Sequence, residues 1–282
     1  MSDANFLQTL VQLNNFHAAR TDQGIQMQLH RFWADELAKP RNADPKRLLR
    51  YGFKVYSQCD EDGIIQEIFR RIGTGNRVFV EFGVETGVEC NTVKLLVEGW
   101  SGVWLDGSPA NVAQIQKHFE CFVRDGRLRA IQSFITAENI NSLIAQGGVT
   151  GDIDLLSIDI DRNDYWVWQA IEIVKPRVVV IEYNATLRPP MSAVVPYERM
   201  QTWNGSNYFG ASLEALVRLR KKGYRLVGCS FNGANAFFVH DAFAEDHFLD
   251  PPTAEEHYEP PRYFFSLLSA GHRAQPGVFV EV

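Results

Sequence analysis

The chain has 282 residues, 45% of them hydrophobic and 22% charged, which suits one large α/β core with additions. A formal net charge of -6 without a basic run argues against a nucleic-acid partner, and no 18-residue apolar stretch is present to span a membrane. The opening Met-Ser-Asp-Ala-Asn has no signal-peptide character, and Cys59, Cys90, Cys121 and Cys229 are far apart, so reduced cysteines in a cytoplasmic protein are expected.

In chain order, residues 1–50 are polar with helical spacing (Leu7, Leu10, Leu13, then Met27, Leu29, Phe32, Trp33, Leu37). Two helices are expected there, as a cap or an oligomer contact compatible with a homodimer. Residues 57–72 follow as an amphipathic helix with a capped start. Strands are expected at 78–82, 102–106, 128–132, 153–159 and 177–183, with helices at 91–98, 110–120, 137–145 and 165–174 between them. Such alternation predicts a parallel sheet covered on both faces, with ligands at the C-terminal edge of its strands. A helix over about 210–222 should end at Gly223. The short Ser-Phe-Asn-Gly-Ala-Asn link between Tyr224–Cys229 and Ala236–His240 requires an antiparallel hairpin. Residues 51–240 thus form the core, and 241–282, rich in proline and aromatics, form a surface extension.

Acids stand at four strand ends: Glu81, Asp106, Asp159 and Glu182. The first opens a glycine turn, Glu81-Phe-Gly83-Val-Glu85-Thr-Gly87-Val-Glu89, whose three carboxylates repel phosphate and suit a cationic or hydroxyl-bearing ligand. The turn can equally be a packing joint. Asp106 lies 19 residues beyond Gly87, a spacing at which an acid commonly holds ribose hydroxyls; it also starts the turn sequence Asp-Gly-Ser-Pro. Asp159, Asp161 and Asp164 crowd one strand end, and Glu182-Tyr-Asn184 ends the next. Their oxygens suit Mg²⁺ or another hard divalent cation, although one of the acids is accounted for by capping the helix near Tyr165.

This ordered set resembles class I S-adenosylmethionine-dependent methyltransferases, and more closely the FkbM-like group. Ser57-Gln58-x-x-Glu61-Asp62-Gly63, Asp154-Leu-Leu-Ser-Ile-Asp-Ile-Asp161 and Gly223-Tyr-Arg-Leu-Val are similar to motifs of that group, over roughly residues 52–240. The resemblance implies a doubly wound, mostly parallel seven-stranded α/β sheet whose last strand is antiparallel. It also implies roles: Glu81, Gly83 and Gly87 around the methionine part of the cofactor, Asp106 on the ribose, and Gln132, Ser133 and Phe134 near the adenine. Asp159 would lie beside the transferred methyl. A more distant likeness to cation-dependent O-methyltransferases implies a metal on Asp159, Glu182 and Asn184, with Glu182-Tyr183-Asn184 departing from the Asp-Asn of that group.

A hydroxyl nucleophile needs a base or a metal to shed its proton. No histidine falls in a motif, which turns attention to Asp161, or to a metal on Asp159 and Glu182, as the means. The long loop 184–210 supplies Arg188, Tyr197, Trp203 and Tyr208 as surfaces for a glycan or secondary metabolite. The expected activity is therefore O-methyl transfer. A nucleotide-dependent oxidoreductase and a non-catalytic cofactor-binding subunit are the competing readings, the first disfavoured because Gly83-x-x-x-Gly87 lacks the Gly-x-Gly-x-x-Gly pattern.

Overall fold

The computed structural model describes residues 23–219, 223–265 and 271–282. Two compact units are present, Met1–Pro45 and Lys46–Val282. In the first, residues 23–37 form helix α1, and a 3₁₀ turn at Pro40–Asn42 follows. The Asn42 amide donates to the Glu36 carbonyl at 2.9 Å. The helix expected around Leu7–Leu13 lies outside the described residues.

The second unit is built on seven strands: β1 (Val78–Phe82), β2 (Ser101–Asp106), β3 (Leu128–Gln132), β4 (Gly151–Ile158), β5 (Val174–Glu182), β6 (Tyr224–Cys229) and β7 (Asn235–His240). Their spatial order is β3-β2-β1-β4-β5-β7-β6. The pairs from β3 to β5 are parallel, and β7 runs antiparallel to both β5 and β6. This is the expected doubly wound, mostly parallel seven-stranded α/β sheet, with its last strand reversed.

Helices α2 (Glu61–Ile72), α3 (Val93–Val97), α4 (Pro109–His118), α5 (Glu120–Arg124), α6 (Ile140–Gln146), α7 (Asp164–Ala170) and α8 (Leu213–Arg218) fill the connections. The expected helix at 57–72 starts later, at Glu61. The reason is Asp62, whose Oδ2 accepts the backbone N–H groups of Val55, Tyr56 and Ser57 at 2.6–2.9 Å and folds those residues back as a loop. The part of the 210–222 helix beyond 219 falls outside the described residues.

Continuous apolar runs make each central strand bury both faces. Phe79, Leu155, Val178 and Val180 pack with Ile64, Ile68 and Leu96 on one side. Val80, Leu156, Val179 and Ile181 pack with Ile144, Trp168 and Leu216 on the other. Leu48, within the stretch expected to cap the core, joins the first cluster. The C-terminal residues add α9 (Asp241–Ala244), α10 (Ala254–His257) and a two-residue ribbon that pairs Val280–Glu281 with Ala193–Val194. Phe248 and Ala254 sink into the two clusters, so this extension also contributes core. Among the described residues no helix is long and apolar enough to cross a membrane.

Candidate active site

Parallel strands deliver their C-terminal ends to one edge, and there a cavity of about 540 Å³ opens. Its wall includes Glu81, Gly83, Glu85, Asp106, Phe134, Asp159 and Asp161.

Gly83 has φ +70°, and a Cβ on it would lie 1.5 Å from the Asp159 carbonyl oxygen. No other residue permits β1 and β4 to close together here. Gly87 also has positive φ (+82°), but its missing Cβ would meet Trp104 at 2.7 Å and Phe119 at 2.8 Å. It faces the core and does not line the cavity. The expected contact of Gly87 with a ligand is thus replaced by packing, and Glu85 and Thr86 line the wall instead. Glu85 (φ +48°) and Asp161 (φ +64°) hold left-handed backbone without being glycine, a local strain that tends to collect at functional sites.

Glu81 is buried and fully engaged. Its Oε1 accepts from the Asn91 N–H at 2.9 Å and the Ser157 hydroxyl at 3.1 Å, and its Oε2 from the N–H and hydroxyl of Thr92. The Thr92 hydroxyl accepts in turn from the Trp104 indole at 2.7 Å. Glu81 therefore holds the start of α3 in place and presents little carboxylate to a ligand. Burial raises its pKa, and these hydrogen bonds oppose the rise.

Asp106 starts the turn into α4, one of its two expected purposes, and ties β2 to the glycine turn. Oδ1 accepts from Ser108 N–H at 2.8 Å and the Asn111 amide at 3.1 Å, which sets the start of α4. Oδ2 accepts from Glu85 N–H at 2.8 Å, which ties β2 to the glycine turn. A carboxylate oxygen has two lone pairs, so Oδ2 retains capacity toward the cavity. Phe134 lines the wall, whereas Gln132 donates to the Gly107 carbonyl at 3.0 Å and Ser133 to that of Phe134 at 3.4 Å, neither reaching the cavity.

The ends of β4 and β5 bring one carboxylate oxygen each from Asp159, Asp161 and Glu182 within 4.8 Å of one another. Burial first, then mutual repulsion with Asp161 and Asp164, lifts the Asp159 pKa well above the ordinary range. Glu182 rises for the same reasons, with Asp159 its strongest neighbour. Asp161 has exposed surface at the mouth yet is pushed up to about 6 by desolvation and by Glu85. Asp164 is pushed up to about 7 by burial, although its Oδ1 accepts Ile160 N–H at 2.7 Å. The buried Oε2 of Glu182 and Oδ2 of Asp164 have no hydrogen-bond partner. Carboxyl oxygens this close and this short of donors would, on losing their protons, fit a hard divalent cation.

Asn184 does not join them. Its amide nitrogen donates to the carbonyls of Asn207 and Phe209, both at 2.9 Å, and its oxygen accepts from the N–H and hydroxyl of Thr186. All of its hydrogen-bonding capacity pins the loop, so it has no lone pair left for a metal; the third oxygen close to those of Asp159 and Glu182 belongs to Asp161.

The four aromatic or cationic loop residues also lie away from the cavity wall. Tyr197 donates to Glu138 at 2.7 Å, Trp203 to the Ser206 carbonyl at 2.7 Å, and Tyr208 to the Val278 carbonyl at 2.7 Å. Arg188 lines a separate shallow pocket with Met191 and Phe279. These side chains stabilise the loop itself. From the same segment Gln201 and Thr202 reach the cavity, joined by Gln58, Asn163 and Asn235. Isolated amides in a loop or hairpin carry no sequence signal; Gln58 alone stood inside a recognised motif. None of the described histidines lines the wall.

Carboxylates held protonated by burial stabilise the fold only while the proton is retained. Their unfolded values lie near 4, so this contribution is complete below about pH 4 and is lost as pH rises through the folded values. The melting temperature in a chelator should therefore fall between about pH 5 and pH 8, and Asp159→Asn should flatten that slope. Adding Mg²⁺ should restore stability at the upper end. A variant slope identical to that of the parent in a thermal melt would refute this coupling.

No family model matches the chain, and no curated protein does. Solved structures do resemble it. The glycopeptide N-methyltransferase MtfA, complexed with sinefungin, is 13% identical with a TM-score of 0.41, over 64% of this chain and 86% of that one. An S-adenosylmethionine-dependent methyltransferase from Clostridium acetobutylicum is 12% identical with a TM-score of 0.41, over 75% and 99%. The O-methyltransferase from Bacillus cereus, complexed with SAH, is 12% identical with a TM-score of 0.39, over 75% and 87%. These neighbours methylate different atom types, and their activities remain properties of those proteins.

Proposed function

We propose that this protein is an FkbM-like enzyme that transfers a methyl group from S-adenosylmethionine to a hydroxyl of a glycan or secondary metabolite. One observation carries the reading. A single cavity at the sheet edge joins the Gly83 turn and Asp106 to the carboxylates of Asp159 and Asp161. A donor held at the turn would find its sulfonium among carboxylates, with its ribose within reach of the Asp106 Oδ2 and an apolar ring beside Phe134 and Ile135.

The reaction needs the acceptor oxygen in line with the methyl and stripped of its proton. Asp161, raised to about 6 beside the cavity, is matched to take that proton near neutral pH. Asp159, which follows β4 and whose carbonyl oxygen meets Gly83, would lie beside the transferred methyl. Asp159, Asp161 and Glu182 would hold a divalent cation, which when bound would lower the pKa of a coordinated hydroxyl. Labelled methyl transfer from S-adenosylmethionine to a polyol mixture is expected, increased by Mg²⁺ and reduced by a chelator. Cofactor-dependent hydride transfer without methyl transfer would instead support the oxidoreductase reading.

A further inference from the structure

Asp161 keeps its left-handed backbone, φ +64°, without being glycine. Such a residue persists only where its surroundings over-determine it. On one side the Ile160 N–H donates to Asp164 Oδ1 at 2.7 Å, which closes a turn that contains Asp161. On the other, the next two side chains both reach a single residue of the long loop. Arg162 Nη2 donates to Glu198 Oε1 at 2.9 Å, and Asn163 Nδ2 donates to the Glu198 carbonyl at 3.0 Å. Arg162 and Asn163 are themselves buried, so the clamp on the turn is made from inside the fold.

The loop is fixed from a second direction. Tyr197 donates to Glu138 Oε2 at 2.7 Å and accepts from the Ala137 N–H at 3.2 Å, and Arg199 pairs with the same Glu138 oxygen at 3.7 Å. Three consecutive residues thus bridge the segment after β3 to the segment after β4. The Glu198 carbonyl has a further duty, because it also accepts the Gln201 N–H at 3.1 Å. One peptide oxygen therefore ties Asn163 to Gln201, two residues that line the cavity. The side chain of the same residue ties Arg162, the neighbour of Asp161. Glu198 itself does not line the cavity, so any influence it has passes through these contacts. We propose that Glu198 is a positioning residue, which through Arg162 and Asn163 holds the Asp161 carboxyl in place at the cavity. Misplacing a reacting group by about 1 Å can cost on the order of 100-fold in rate, so a clamp of this kind has catalytic leverage without touching substrate. The effect on rate rests on the methyl-transfer reading; the clamp on the Asp161 turn does not.

Glu198→Ala deletes the carboxylate and keeps the carbonyl, whereas Glu198→Gln keeps an acceptor oxygen for Arg162. In the full chain, Glu198→Ala should lose at least about tenfold in kcat for methyl transfer, with the KM for S-adenosylmethionine within about twofold of the parent. Glu198→Gln should recover to within about threefold of the parent, since the hydrogen bond to Arg162 survives. Arg162→Ala should match Glu198→Ala, and the double variant should be no slower than either single one. Amide exchange read by mass spectrometry tests the clamp without any turnover. Residues 160–163 should exchange at least about tenfold faster in Glu198→Ala, with β1 unchanged. Unchanged exchange at 160–163 overturns the clamp. Faster exchange there with a parental kcat, or a KM for S-adenosylmethionine that rises as far as kcat falls, overturns the positioning role. If the parent binds no S-adenosylmethionine, the methyl-donor reading fails, and exchange at 160–163 still decides the clamp.

Discussion

An Asp159→Ala protein should fold, melt at a higher temperature than the parent, and lose at least about 100-fold in methyl transfer. The two effects share one cause. The Asp159 carboxyl is crowded by Asp161, Asp164, Glu81 and Glu85 in a desolvated site, which is why its pKa stands well above the ordinary range. Deleting it removes a group that destabilises the fold at neutral pH. The same deletion removes one of the three candidate cation ligands. The backbone is untouched, so the Asp159 carbonyl still meets Gly83. A radiolabelled-methyl assay beside a thermal melt separates the outcomes. Activity near that of the parent would remove Asp159 from the chemistry, and a lower melting temperature would refute the repulsion.

Gly83→Ala should be the most damaging single methyl in the chain. The added Cβ would sit 1.5 Å from a backbone oxygen, and the left-handed φ of +70° adds strain of its own. The strain alone costs about 1 kcal/mol. Relieving the overlap requires β1 and β4 to separate where both bury their side chains, so a total above about 4 kcal/mol is expected. Gly126→Ala is the control, because Gly126 has nearly the same φ (+71°) with nothing within 4 Å of its Cβ position. It should lose only about 1 kcal/mol in denaturant unfolding. Equal losses in the two variants would show that backbone conformation, and not the approach of Asp159, sets the need for glycine.

The sheet was legible because its strands are short apolar runs ending in acids. Val-Phe-Val before Glu81 and Val-Val-Val-Ile before Glu182 mark β1 and β5 without help from any contact. The hairpin was legible because six residues cannot return a strand in parallel. The side-chain duties were harder to read. Gly87 appeared in a ligand turn, yet its neighbours Trp104 and Phe119 are remote in sequence, so its packing requirement was invisible. Asn184 looked like a ligand because it follows Glu182 closely; Asn207 and Phe209, which claim its amide, come from the far side of the loop. Tyr197, Trp203 and Tyr208 have the composition of a binding surface, and nothing local reveals that their polar tips bond the loop and its neighbours. Asn163 and Asn235 went unnoticed for the opposite reason. A single amide has no periodicity or spacing, and only the fold brings it to a cavity.

On the proposed reading the acceptor contacts lie at the strand ends instead of on the aromatic loop; at the donor end Gly83, Asp106 and Phe134 line the cavity, whereas Gly87, Gln132 and Ser133 do not and Glu81 is engaged by Asn91, Thr92 and Ser157. That end is the centre of the account. Calorimetric titration of S-adenosylmethionine into the parent and into Asp106→Ala tests it most directly. The parent should bind one equivalent, and Asp106→Ala, which loses the carboxylate proposed to hold the ribose, should bind at least about tenfold more weakly. No heat with S-adenosylmethionine, together with saturable binding of NAD, would contradict it.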